Sequence, residues 1–73
     1  MAPPRLENRL RVARAERRLS QEQLAALAGV TRQTISSIEN GQYGPSALLA
    51  FVLASRLHTP IAELFHLNEG DTP

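Results

Sequence analysis

The stretch "SQEQLAALAGVTRQTISSIENG", residues 20–41, restricts the fold of this chain more than any other. It describes two short helices separated by a turn of about four residues. Ser20 with Gln23 three positions on forms a capping box at the first start. Gly29 stands where the first helix must stop, at a position suited to positive φ. Thr31 caps the second helix, and Asn40-Gly41 ends it by the same logic. Helices joined this tightly cross at roughly 90–120°. Such a crossing needs a small residue at the contact, which is Ala25, and a turn residue tolerant of positive φ, which is Gly29. It also needs apolar wedges on both sides, which are Leu24, Val30, Ile35 and Ile38. With Ala28, all seven constrained positions are filled at the required spacing.

This is the pattern of a helix-turn-helix, and the rest of the chain surrounds it with more helix. From Arg5 to Arg18, Leu6, Leu10 and Ala13 recur at i, i+4 and i+7, one face of a first helix. Glu7 and Arg11 make an i,i+4 pair on its outside. Ser46 caps a fourth helix, Ala47 to Leu57, which has no charge before Arg56 and must be covered on most sides. Leu49, Phe51 and Leu53 are expected on its core side. Pro60 suits the first turn of a short fifth helix ending near Leu67. The expected fold class is all-α: five helices, the second and third forming the helix-turn-helix, and no strand. Residues 1–4 read as a flexible arm, 5–67 as the domain and 68–73 as a frayed tail.

A 73-residue domain buries only about 60–65% of the surface its unfolded chain exposes, so a second stabilising device is expected. With no cysteine it is not a disulfide. His58 and His66 alone are too few for a structural zinc site, so oligomerisation remains. No apolar run is long enough for a membrane span, and no signal peptide opens the chain, which suggests the cytoplasm. No carboxylate pair, nucleophile–base set or phosphate loop is present. An enzyme is therefore not expected, nor a metal, cofactor or small-molecule ligand. The charge is uneven: residues 1–36 carry seven Arg against three Glu, a local +4, and residues 37–73 one Arg against four acids, a local −3. A basic front of this kind suits a polyanion.

Residues 5–67 resemble the lambda-repressor/Cro-like (Xre) family of regulators, on "RLRVARAERRLSQEQLAALAGVTRQTISSIENGQYGPS" and, more loosely, "PIAELF". The resemblance implies a five-helix transcriptional regulator that binds double-stranded DNA as a homodimer. In that fold the second helix of the motif enters the major groove N-terminus first. Arg32 would then fork onto guanine O6 and N7, and Gln33 would pair with adenine N6 and N7. Ser36 and Ser37 can reach bases or phosphates, and the Thr31 methyl can meet a thymine. Family members commonly use a Gln at the place of Gln21 for a phosphate. Asn40 and Tyr43 are in position for the same task, although Tyr43 can equally pack on the domain. Arg5, Arg9 and Arg18 are long-range contributors or solvated charges. The family often pairs an Arg on the first helix with the Glu of "ENG", here Arg14 and Glu39, which implies a partly buried bridge. His58 occupies a place where the family often has Gly or Asn, and it is expected to accept positive φ. His66 is expected to be exposed, near the subunit interface.

Small family members commonly carry charge where this chain has Leu48 and Val52. Those two residues stand at i,i+4 and form one apolar stripe. With Ile61 and Phe65 they are expected to build a two-fold dimer interface, and hence to favour a near-palindromic operator. The competing function is a protein-interaction module such as an antitoxin or anti-regulator. Against it stands a recognition face that is polar throughout and has no apolar anchor.

Overall fold

The computed structural model describes residues 3–69. Five helices make the domain: α1 Leu10–Glu16, α2 Gln21–Ala28, α3 Arg32–Glu39, α4 Ala47–Arg56 and α5 Ile61–Leu64. Two short strands flank them, β1 Arg5–Asn8 and β2 Phe65–Asn68, paired antiparallel with Leu6 opposite Leu67 and Glu7 opposite His66.

The strands correct the sequence reading at both ends. Arg5–Asn8 is not the first turn of α1, and the fifth helix stops at Leu64 rather than Leu67. Each segment supplies the other's backbone partners, and this pairing overrides the weak helical period of Leu6. Asn68 belongs to β2 and so is not part of the expected tail; residues 1–2 and 70–73 of the expected arm and tail lie outside the described residues. Asn8 makes the joint between strand and helix. Its Oδ1 accepts from Leu10 N–H at 3.0 Å, and its Nδ2 donates to the Ile38 carbonyl at 2.9 Å. One side chain thus starts α1 and holds the end of α3.

The largest fully buried side chains are Leu10, Leu24, Ile35, Ile38, Leu53 and Leu64, one or two from each helix, with Leu57 at the end of α4. Ala25, Ala50 and Ala54 are buried among them, and small residues there let α2 and α4 approach closely. Phe65 belongs to this core and is only 9% exposed. That corrects its assignment to a subunit interface: at Phe65 the chain turns extended (φ −130°, ψ 138°), which brings the ring onto the core instead of leaving it on a helix face. Ile61 is half-buried and packs at the core's edge.

Phe51 needs the opposite correction. It is 61% exposed, beside Leu48 at 76% and the half-buried Val52. The inner side of α4 is Ala50, Leu53 and Ala54; Phe51, three residues after Leu48, shares its outer face.

Four helices end with a residue in the left-handed region: Gly29 and Gly41, but also Arg18 (φ 55°) and His58 (φ 50°). At each, the next residue's N–H reaches back to a carbonyl five positions earlier, as in Thr59 to Ala54 at 3.0 Å and Leu19 to Arg14 at 3.2 Å. A side chain in this region costs about 1–2 kcal/mol, and glycine gives back part of the gain as unfolded-chain entropy. His58→Gly should therefore stabilise the domain by about 0.5–1 kcal/mol, several degrees in melting temperature. A thermal melt at or below that of the natural chain would show that the His58 side chain has a stabilising role.

Candidate nucleic-acid interface

The motif is built by its caps. Ser20 Oγ accepts from Gln23 N–H at 2.9 Å, and Gln23 Oε1 accepts from Ser20 N–H at 2.8 Å, the reciprocal pair of a capping box. Gly29 (φ 74°) then closes α2, with Val30 N–H on the Ala25 carbonyl at 3.0 Å. Thr31 Oγ1 accepts from Thr34 N–H at 3.2 Å and lies 3.0 Å from Thr34 Oγ1, so its hydroxyl is occupied by the cap.

These contacts fix how α3 is turned. Ile35 and Ile38 face the core, at 0% and 1% exposure. Arg32 and Gln33 are exposed, Ser36 and Ser37 half-buried, and Asn40 continues the same outer side one turn on. Gln33 Nε2 donates to Ser37 Oγ at 3.4 Å along this face. The face therefore carries hydrogen-bonding groups and one charge.

Beneath the end of α3 lies a polar cluster around Glu39, whose side chain is fully buried. Arg14 Nε donates to Glu39 Oε2 at 2.7 Å and Arg14 Nη2 to Oε1 at 3.3 Å, while Arg14 Nη1 donates to the Leu19 carbonyl at 2.8 Å. Gln21 Nε2 donates to Glu39 Oε1 at 3.0 Å. The start of α2, the first helix and the end of α3 are thus joined through one carboxylate. Burial alone would raise the Glu39 pKa. The hydrogen bonds from Arg14 and Gln21, with the charge of Arg14, outweigh it and hold the pKa below its ordinary 4.5.

Two further residues stand near this cluster. Arg11 Nη2 donates to Asn40 Oδ1 at 3.0 Å, and Arg11 Nε lies 3.5 Å from Glu39 Oε1. Arg11 is thus not paired with Glu7, which sits on β1 with His66 Nε2 at 3.4 Å and accepts from Asn68 Nδ2 at 2.9 Å. Tyr43 is 47% exposed and lines a shallow hollow with Arg5, Gly41 and Gly44, so it stands between β1 and the end of α3.

Sequence reasoning passed over Arg11, because the expected pair with Glu7 gave it a partner. It also passed over Asn8, although an Asn just ahead of an apolar run is a usable start signal.

Among the described residues no group of three or more His, Cys, Asp or Glu could hold a metal ion, and no helix is long and apolar enough to cross a membrane. The chain matches the helix-turn-helix family model over residues 10–64. It is 45% identical over 66 residues to an HTH-type transcriptional regulator of Methanocaldococcus jannaschii, covering 90% of this chain and 100% of that one. A regulator of the same description in Bacillus subtilis is 39% identical over 64 residues, covering 88% and 97%. Among solved structures, the restriction-modification controller protein C.AhdI of Aeromonas hydrophila superposes with a TM-score of 0.72 at 38% identity, covering 75% of this chain and 83% of that one. The family consists of DNA-binding regulators and not of enzymes. With a fold, a motif and relatives that agree over most of its length, this chain belongs to the helix-turn-helix transcriptional regulators of the lambda-repressor/Cro-like (Xre) type.

Proposed function

We propose that this regulator is a sequence-specific repressor that binds a near-palindromic operator as a homodimer in the cytoplasm. The observation that carries this reading is the outer face of α3, where Arg32, Gln33, Ser36 and Ser37 stand together above a core-facing Ile35 and Ile38. Hydrogen-bonding side chains of this kind match base edges in a major groove. Arg32 reads a guanine and Gln33 an adenine; Ser36 and Ser37 reach bases or the backbone. The Thr31 hydroxyl is engaged in its cap, and its exposed methyl can meet a thymine.

Gln21, Asn40 and Tyr43 contact phosphates on either side. Gln21 and Asn40 each have one amide atom engaged within the domain, which holds the amide in place and leaves donor capacity on both. Two copies associate through the apolar outer side of α4, with Leu48, Phe51 and Val52, and the neighbouring Ile61. An interaction module with a protein partner is less well supported, since the apolar surface lies on α4 and not on α3.

Arg32→Ala and Gln33→Ala should each weaken operator binding by about 1–3 kcal/mol and relax base choice at one position per half-site. Binding to random DNA should fall much less. Selection of bound fragments from a random pool, done with the natural chain and both variants, checks this. Variants that select the same sequence as the natural chain would put the reading face elsewhere.

A further inference from the structure

We infer that Arg11 is a DNA phosphate contact, the charged member of an anion-binding pair with Asn40; the inference rests on the DNA-binding reading above. Two guanidiniums, Arg11 and Arg14, face the single carboxylate of Glu39. Arg14 already satisfies it, with one short bond and a second from the same fork. Arg14 is 17% exposed and Arg11 62%. The one positive charge left over in the cluster is therefore at the surface, on Arg11.

Its geometry suits a bound anion. Arg11 Nη2 holds Asn40 Oδ1 at 3.0 Å, which leaves the Asn40 Nδ2 as a donor, and Arg11 Nη1 makes no hydrogen bond among the described residues. A guanidinium and an amide donor held side by side match two oxygens of one phosphate. The location suits it too. Asn40 lies four residues after Ser36, on the reading side of α3, so a duplex seated on that face would bring its backbone past this pair. Arg9 and Arg17, which flank the two ends of the first helix, line a hollow with Glu16 and Glu63 that includes no α3 residue.

The test is binding to operator and to random DNA over a series of salt concentrations. It uses the natural chain, Arg11→Gln, Arg11→Lys and, as a control, Arg17→Gln. Each neutralised phosphate contributes about 0.9 to the slope of log affinity against log salt. Arg11→Gln should lower that slope by about 0.9 on both DNAs, so that a fourfold rise in salt costs it about threefold less affinity than the natural chain. Arg11→Lys should restore the slope, and Arg17→Gln should leave it unchanged. An Arg11→Gln variant that melts like the natural chain and keeps the full slope overturns the inference, as does a loss confined to the operator. Failure of the natural chain to bind any DNA would instead remove the DNA-binding reading itself, a different and recognisable result.

Discussion

Replacing Glu39 by alanine should destabilise the domain by about 3–5 kcal/mol, the range for removing one partner of a buried ion pair. For a domain of this size that lowers the melting temperature by about 12–40 °C, enough to leave much of the chain unfolded at physiological temperature. The reason is the arrangement around the carboxylate. Glu39 is the acceptor for Arg14 and Gln21, and without it the Arg14 guanidinium, 17% exposed, keeps only the Leu19 carbonyl. Arg14→Ala should also destabilise the domain, since it leaves the buried carboxylate with only Gln21 and the longer contact to Arg11. Replacing both, as Arg14→Met with Glu39→Leu, should cost less than either alone, because no unpaired charge remains. Thermal melts of the three variants decide it, and strictly additive losses would mean that the two residues are not coupled.

The same carboxylate makes the domain sensitive to acid. Its folded pKa is held below the ordinary 4.5, so its contribution is complete above that value and is lost as pH falls through the lowered one. In Glu39→Gln that part of the acid dependence should vanish, while stability at neutral pH is lower throughout.

The helix-turn-helix was readable in the chain because everything that builds it is local. Caps, stop signals and apolar wedges fall within about twenty residues, and each side chain's role follows from the helix period. The strand pair was not readable, because Glu7 and Asn68 meet across 61 positions and four-residue strands carry no period of their own. Arg11 followed from that error: once Glu7 belongs to β1, Arg11 is released to the end of α3. Phe51 was misassigned for another reason. A helix reading "ALLAFVLASR" is apolar on every side, so its pattern cannot say which side faces the core. Arg18 gave no sign of its positive φ, since only the fold around it requires the turn there.

That two-sided helix carries the second large effect. Leu48→Glu with Phe51→Lys should convert the proposed dimer to monomer and weaken operator binding by about a hundredfold or more. Leu48 and Phe51 are 76% and 61% exposed, and with Val52 and Ile61 they make an apolar face; the other exposed residues of α4 are Ala47, Ser55 and Arg56. An apolar patch of this kind usually marks an interface. A two-fold axis through it would pair each patch with its own copy and set two recognition helices about 34 Å apart, one turn of DNA. Binding both half-sites through one dimer raises affinity by about 10²–10⁴ over a single site without any new contact. Losing the dimer should remove that factor and leave the affinity for an isolated half-site unchanged, because α3 is untouched. The Glu and Lys, at i,i+3 on an exposed face, are compatible with the helix. Phe65→Ala is no substitute, since Phe65 lies in the core and its loss would destabilise the monomer by about 3–5 kcal/mol. Sedimentation equilibrium and half-site binding, measured on one preparation, separate the two effects. A double variant that stays dimeric at micromolar concentration would mean that the copies meet elsewhere and that α4 faces a different partner.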